Sequence, residues 1–345
     1  MDHKIFLGTY TKKDSKGIYT ITLDTDTQEL KDLELAAEAG SPTYLDLSSD
    51  ASLLYSVLKE DSDHGGVISF KKDADGNYQK AAVSTAEGAA PCYVAYDEKR
   101  NFVYTANYHQ GEVAVYKTDT DGQLTLTDTV AHSGSSAHEN QDAPHAHYFN
   151  LTPDEKYLIA CDLGTDEVFT YEVTDEGKIN EVSHVNTEPG TGPRHVVFHP
   201  NEKFVYVFGE LSSEVIAMTY DKDSGTLEPF QTVPSIPESH TDFNSGAAIR
   251  VSPDGKFLYA SNRGHNSLVS YRINETDGTL ELIGWTSTEG DFPRDFNLDP
   301  SGKFVVVGHQ ESDNLTLFER DEDTGRLTLL QKDVYAPEVV CVAFA

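Results

Sequence analysis

One stretch decides the fold: Gly192-Pro193-Arg194-His195-Val196-Val197-Phe198-His199-Pro200. It is followed by a second apolar run, Lys203-Phe204-Val205-Tyr206-Val207-Phe208-Gly209-Glu210, by a third over residues 215–220, and by a turn at Ser224-Gly225. Short apolar runs separated by turn residues are typical of β-strands. The stretch therefore begins a unit of successive short strands.

The same unit recurs along the chain. Its step of two apolar residues and a tyrosine is repeated, with two variants, at Leu53-Leu54-Tyr55, Phe102-Val103-Tyr104, Tyr157-Leu158-Ile159, Phe204-Val205-Tyr206, Phe257-Leu258-Tyr259 and Phe304-Val305-Val306. A glycine turn follows each step, at Asp75-Gly76, Asp121-Gly122, Glu176-Gly177, Ser224-Gly225, Asp277-Gly278 and Thr324-Gly325. Turns of this kind join the strands of hairpins.

The spacing of the units predicts the architecture. Successive units begin about 49 residues apart, at Pro42, Pro91, Ala146, Pro193, Gly246, Pro293 and Pro337. Four short strands per unit at this period indicate an all-β fold, a seven-bladed β-propeller with four antiparallel strands per blade.

The two ends of the chain complete one blade together. After Pro337 there is room for a single strand, and we expect residues 336–345 to form the innermost strand of the closing blade. The N-terminal segments 4–8, 17–23 and 30–36 supply the other three strands. We therefore expect residues 1–345 to form one domain, closed as a ring.

Composition excludes several kinds of partner. The 345 residues carry 58 acidic and 26 basic side chains, a formal charge of −32, which speaks against binding to nucleic acid or to an anionic membrane surface. No apolar stretch is long enough to span a membrane, and the start Met1-Asp2-His3-Lys4 lacks an apolar signal region. We expect a cytoplasmic protein without a disulfide framework, since it has three cysteines. The sequence does not indicate its oligomeric state.

Propeller topology predicts where a site would lie. The starts of the innermost strands and the ends of the second strands meet at one mouth of the central channel. The first set is Thr43, Cys92, His147, Arg194, Ala247, Arg294 and Glu338, and the second is Lys59, Tyr108, Leu163, Glu210, Arg263, Gln310 and Tyr10. Three of the eight arginines fall in this ring, although the chain is acidic.

A ring of arginines on an acidic body is the pattern expected for a small anionic ligand. The guanidinium fork matches carboxylate and phosphate groups in a way that lysine does not. The alternative is that the arginines pair with Glu210 and Glu338 and only fill the channel.

Two long connections lead into innermost strands, residues 131–144 and 235–245. On this topology they overhang the mouth, where long loops are often binding loops. The alternative is that they are variable surface insertions.

The doublet His145-Ala146-His147 has two interpretations. Residues i and i+2 of a strand point the same way and could share a metal, but the sequence indicates no third ligand. A histidine at the rim can otherwise serve as a general base, because its ordinary pKa lies near neutral pH. We expect no metal and no other cofactor.

The whole chain resembles the seven-bladed β-propeller lactonase family, which includes cycloisomerase-type 6-phosphogluconolactonases and the carboxy-cis,cis-muconate lactonizing enzyme. The resemblance lies in the repeated turns before Lys-Phe-x-Tyr, in Gly190-Thr191-Gly192-Pro193-Arg194-His195, and in Asn262-Arg263. It implies a catalytic set of His147, Arg194, Glu210 and Arg263. Leu163 departs from the pattern of polar ring residues, and the doublet leaves open which histidine acts.

The resemblance further implies hydrolysis of 6-phospho-D-glucono-1,5-lactone to 6-phosphogluconate in the pentose phosphate pathway. Further ring and neighbouring residues are candidates for binding this small anionic substrate: His145, His195, Arg294, Tyr10, Tyr108 and Gln310. No Gly-x-Ser-x-Gly nucleophile motif occurs, which argues against an acyl-enzyme route. The alternatives are a lactonase or lactonizing cycloisomerase for another anionic lactone, and a non-enzymatic propeller that binds a protein partner.

Overall fold

The computed structural model describes residues 2–345, and it confirms the predicted fold. Twenty-eight strands form seven antiparallel sheets of four strands each, arranged as a seven-bladed β-propeller. Across residues 2–345 there is no α-helix, and hence no helix that could cross a membrane.

The strands follow the repeat unit by unit. The N-terminal strands are β1 (Asp2–Thr9), β2 (Gly17–Asp24) and β3 (Glu29–Glu38). Blade 1 contains β4 (Leu45–Leu47), β5 (Leu53–Lys59), β6 (His64–Lys72) and β7 (Tyr78–Glu87), and blade 2 contains β8 (Tyr93–Asp97), β9 (Phe102–Asn107), β10 (Glu112–Thr118) and β11 (Leu124–Ala131). Blade 3 contains β12 (Ala146–Leu151), β13 (Leu158–Asp162), β14 (Glu167–Val173) and β15 (Ile179–Asn186).

The second half of the ring repeats the arrangement. Blade 4 contains β16 (Pro193–Phe198), β17 (Phe204–Gly209), β18 (Glu214–Asp221) and β19 (Thr226–Pro234). Blade 5 contains β20 (Ser245–Val251), β21 (Phe257–Arg263), β22 (Ser267–Ile273) and β23 (Leu280–Ser287). Blade 6 contains β24 (Pro293–Leu298), β25 (Phe304–His309), β26 (Asn314–Arg320) and β27 (Leu327–Tyr335), and the last strand is β28 (Val339–Phe344).

The ring closes as the sequence predicts. Strand β28 pairs antiparallel with β1, with Ile5 opposite Phe344 and Thr9 opposite Val339, so that blade 7 has the order β28, β1, β2, β3. Each innermost strand contacts the innermost strand of the next blade around the whole circle. Closure leaves the innermost strands of all seven blades facing one central channel.

The hydrophobic core lies between neighbouring blades. The second and third strands of each blade are buried on both faces, which explains why they read as continuous apolar runs. The fourth strands are largely exposed and alternate between apolar and polar residues. Burial is therefore greatest in the second strands and decreases from there to the outer rim.

In blades 4 and 5 the repeated tyrosine links its blade to the next one by a hydrogen bond. The hydroxyl of Tyr206 in blade 4 donates to the carbonyl of Gly278 in the turn between the third and fourth strands of blade 5, at 2.9 Å. Tyr259 in blade 5 donates to Gly325 of blade 6 at 2.8 Å in the same way. Both rings are fully buried. At these two interfaces the tyrosine hydroxyl thus satisfies a carbonyl of the glycine turn in the next blade.

This contact predicts the effect of removing one hydroxyl. Tyr206→Phe and Tyr259→Phe should each lower the free energy of unfolding by about 1 kcal/mol, because a buried carbonyl loses its donor. Urea denaturation followed by far-UV circular dichroism measures the loss. Tyr335→Phe is the matched control, since Tyr335 is 58% exposed, and it should leave stability unchanged. Equal stabilities for all four proteins would contradict this role.

Candidate active site

The mouth of the channel opens into a cavity of about 740 Å³. Most of the predicted ring residues line it, both at the starts of innermost strands and at the ends of second strands: Thr43, Cys92, His147, Arg294, Tyr10, Lys59, Tyr108, Glu210 and Arg263. Arg194 lies deeper, on the wall of a small void beneath the mouth that also contacts His195, Arg294 and Asp295. A cavity of this size is typical of small-molecule sites.

One carboxylate organises the two buried arginines. Oε2 of Glu210 lies 2.9 Å from Nε of Arg194 and 3.0 Å from Nη2 of Arg263. Nη2 of Arg263 also donates to the hydroxyl of Ser245 at 2.7 Å and to the carbonyl of Gly246 at 2.6 Å. The guanidinium of Arg263 is thus held in a fixed orientation, and that of Arg194 is paired with the same carboxylate.

Charge balance at this cluster is positive. Burial raises the pKa of Glu210, but Arg263 and Arg194 outweigh burial and hold it below its usual value, so the group is ionised. Burial and Arg263 lower the pKa of Arg194 to about 9, so the guanidinium stays charged at neutral pH. Arg294 has no acidic partner within 4 Å among residues 2–345, and its Nη1 donates to Gln310 at 3.1 Å. Three arginines therefore face one carboxylate.

His147 stands beside this cluster as a neutral imidazole. It is only 4% exposed, and burial together with the charges of Arg194 and Arg294 holds its pKa well below the ordinary value. Within the part of the chain that the structure covers, Nδ1 of His147 and Nη1 of Arg194 are buried without a hydrogen-bond partner. Buried polar atoms are normally paired, so these two are candidates for contacts with a ligand.

A backbone irregularity aims the ring residues into the mouth. The register between the first and second strands shifts between Ala146 and Tyr148 in blade 3, and it shifts at the same place in blades 4 and 6. The extra residues at these shifts are His147, Arg194 and Arg294. A β-bulge turns one side chain away from the alternation of its strand, and bulges are common next to active sites.

Polar residues fix the segments that lead into these bulges. The carboxylate of Asp166 accepts hydrogen bonds from the amides of Gly190 at 2.7 Å and Gly192 at 2.6 Å, just before Arg194. Asn266 accepts from the amide of Phe292 at 3.1 Å, just before Arg294. Asp166 and Asn266 both have positive φ, which aspartate and asparagine tolerate better than most residues.

The doublet histidine His145 lies apart from His147. Its ring stacks on Tyr108 with centroids 4.2 Å apart, and Nδ1 lies 2.8 Å from the carbonyl oxygen of Tyr108. Its amide donates to the buried Asp162 at 2.7 Å, and the same carboxylate lies 2.6 Å from Nδ1 of His132. His145 therefore supports the wall at Tyr108, and it is not among the residues that line the cavity.

Two other predicted residues also lie outside the cavity lining. His195 is buried beneath the mouth with its ring 5.1 Å from that of His147, and it meets the rings of Tyr44 and Tyr93 edge to face. Gln310 reaches the site only through Arg294. Tyr10 does line the cavity, and its ring is contacted by Arg294, with Cζ 5.7 Å from the centroid.

The long connections pack on turns and do not line the cavity. Gln141 of the first donates to the carbonyl of Leu163 at 2.8 Å, which gives the apolar Leu163 position a structural role. Asn244 of the second donates to the hydroxyl of Ser213 at 2.8 Å. The cavity instead extends towards blade 1, along residues 40–41, 60–62, 64 and 88–91, which sequence reasoning missed. In that part of the sequence, the feature that could have pointed to the cavity is the pair Gly65-Gly66, which follows an acidic turn.

The alternative in which the arginines pair with Glu210 and Glu338 holds for Glu210 and is wrong for Glu338. Glu210 does pair with Arg194 and Arg263, whereas Glu338 accepts backbone amides and pairs with no arginine of the described chain. No cluster of three or more His, Cys, Asp or Glu side chains in residues 2–345 could hold a metal ion.

The chain is similar to known proteins along its whole length. Residues 4–344 match the model of the family described as lactonase, 7-bladed β-propeller. The chain is 43% identical to a 6-phosphogluconolactonase of Bacillus subtilis over 98% of this chain and 97% of the relative. The chain belongs to the seven-bladed β-propeller lactonase family.

Solved structures show the same fold at full length. A protein from Lactobacillus plantarum shares 48% identity, with a TM-score of 0.97 and all of both chains covered. A periplasmic gluconolactonase of Pseudomonas aeruginosa shares 30% identity, with a TM-score of 0.92 over 100% of this chain and 99% of the other. The protein is a lactone-hydrolysing enzyme, a carboxylic ester hydrolase, and not solely a binding platform.

The environment of His147 predicts the pH dependence. A histidine with the ordinary pKa near 6.5 loses about three quarters of its neutral form at pH 6. His147 keeps the neutral form there, because its pKa is well below that value. With an uncharged lactone as substrate, kcat/KM should therefore change by less than about twofold between pH 8 and pH 6. A fall with a midpoint near pH 6.5 would show that an unperturbed histidine controls the rate.

Proposed function

We propose that the enzyme hydrolyses 6-phospho-D-glucono-1,5-lactone to 6-phosphogluconate, as a step of the pentose phosphate pathway in the cytoplasm. The observation that carries this proposal is the cluster of Arg194 and Arg263 on Glu210 beside neutral His147. A full-length relative with 43% identity is a 6-phosphogluconolactonase. The substrate in this proposal is a small anionic sugar lactone, and no cofactor takes part.

The proposed reaction begins with attack of water on the lactone carbonyl carbon. His147 accepts a proton from the water as its oxygen bonds to the carbon, and the carbonyl oxygen becomes an oxyanion. The bond between that carbon and the ring oxygen then breaks, and protonated His147 returns the proton to the departing alkoxide. The products are a hydroxyl and a carboxylic acid, which ionises to the carboxylate at neutral pH.

The arginines stabilise the charge that develops. Nη1 of Arg194 is buried and unpaired in the structure as described, and Arg263 is fixed by Glu210 and by Ser245. Donors held in place before the reaction stabilise an oxyanion most, because no reorganisation is needed when the charge forms. Arg194 and Arg263 are therefore assigned to the oxyanion.

Glu210 is assigned an orienting role. An acceptor engaged by two guanidinium groups has a lowered pKa and little tendency to take a proton. His147 is also a weak base in the free enzyme, but a bound phosphate monoester adds negative charge that opposes the arginines and raises its pKa. Substrate binding thus increases the basicity of His147 just when a base is needed.

A second lactone class remains compatible with the same cluster. Guanidinium groups bind carboxylate as well as phosphate, so a carboxylated lactone, or a cycloisomerase reaction that forms one, would meet the same residues. The phosphorylated substrate is favoured because the cavity extends well beyond the cluster, towards blade 1.

Substitution of the base and of the orienting carboxylate tests this assignment. His147→Ala should lower kcat for 6-phosphogluconolactone by about 10²- to 10⁴-fold, the usual contribution of a general base. Glu210→Gln should lower kcat/KM as well, since both arginines lose their anionic partner. Initial rates are measured on freshly generated lactone and corrected for spontaneous opening.

A surface histidine supplies the control. His184 lies on outer strand β15 with its side chain 45% exposed, and His184→Ala should retain full activity. An undiminished rate for His147→Ala would remove this residue from the mechanism. Activity that disappears after EDTA treatment would contradict the metal-free route.

A further inference from the structure

The turn between the second and third strands of blade 7 differs from those of the other blades. It spans seven residues, Tyr10 to Lys16, where the corresponding turns of blades 1 to 6 have three or four. Its first residues, Tyr10, Thr11 and Lys12, line the mouth cavity. The ring thus carries one enlarged turn, and that turn borders the site.

Positively charged side chains extend from the catalytic cluster to this turn. Nζ of Lys12 lies 3.9 Å from the centre of the Tyr10 ring, and Cζ of Arg294 lies 5.7 Å from the centre of the same ring. The two charges are consequently less than about 10 Å apart, with Tyr10 between them. Lys59, at the end of β5, lines the same cavity.

These lysines are available to a ligand. In the described chain neither Lys12 nor Lys59 lies within 4 Å of an acidic side chain, whereas the neighbouring Lys13 lies 3.9 Å from Glu311. Two acids that line this side of the cavity have other partners. Glu60 accepts the hydroxyl of Thr85 at 2.6 Å, and Asp61 accepts the amides of Asp63 and His64.

A buried carboxylate holds the enlarged turn in place. Glu338 is 3% exposed, and its Oε1 accepts the amide of Lys12 at 2.9 Å. Its Oε2 accepts the amides of Lys13 at 3.0 Å and Ser15 at 3.2 Å. The backbone that carries Lys12 is therefore fixed to the inner strand of its own blade, while the side chain reaches the cavity.

We propose that Lys12, on the blade 7 turn that Glu338 fixes, forms with Lys59 a subsite for the phosphate of the substrate. The proposal rests on the proposed function, and it makes this turn the element that selects phosphorylated over unphosphorylated lactones. The two lysines supply charged donors for a phosphate dianion. They also offset the repulsion that a body of net charge −32 exerts on an anionic substrate.

The test compares two substrates in three variants. Lys12→Met and the double variant Lys12→Met/Lys59→Met remove charge from the subsite, and Lys13→Met removes an equal charge one residue away, outside the cavity lining. The measured quantity is the ratio of kcat/KM for 6-phosphogluconolactone to kcat/KM for gluconolactone. The ratio should fall about tenfold or more in Lys12→Met, further in the double variant, and not in Lys13→Met.

Each outcome decides the proposal. Equal losses on both substrates, or an unchanged ratio in the double variant, overturn the phosphate subsite while leaving the lactonase reaction intact. Failure of the unsubstituted enzyme on both substrates overturns the proposed function instead. In that case isothermal titration with 6-phosphogluconate decides the subsite separately, since binding should weaken about tenfold or more in Lys12→Met. Equal binding by the two proteins overturns it.

Discussion

The pairing of β28 with β1 is the constraint on which the rest of the structure depends. A propeller blade buries its faces only against its neighbours, so an open array would leave two apolar faces and two unfinished interfaces. Closure by the first and last strands brings seven innermost strands around one channel. Residues distant in sequence, such as His147 and Arg294, thereby line one cavity.

Symmetry supplies the positions, and departures from symmetry supply the chemistry. The same bulge begins the innermost strands of blades 3, 4 and 6, and it carries His147, Arg194 and Arg294 in turn. The enlarged turn of blade 7 has no counterpart in blades 1 to 6. A repeated backbone thus presents different functional groups from different blades.

The fold could be predicted in detail because every repeat contains both the apolar runs that form its strands and the glycine turns that join them. The ring positions followed from topology alone, and most of them line the mouth. The rest of the site depends on individual side-chain and loop contacts that the repeat pattern does not indicate. Glu338 occupies a ring position, yet it turns to backbone amides, and the connection 131–144 reaches Leu163 through Gln141 instead of covering the cavity. The extension of the cavity towards blade 1 likewise depends on how short turns pack.

The mouth of the channel is positively charged although the protein is acidic. The arginines at its base would bind the lactone group, and the lysines at its side would bind the phosphate of the same substrate. A crystal structure of the enzyme with 6-phosphogluconate tests this most directly. The account predicts the carboxylate at Arg194 and Arg263, within reach of His147, and the phosphate against Lys12. A product bound on the opposite face of the ring, or with its phosphate at Arg194, would contradict it.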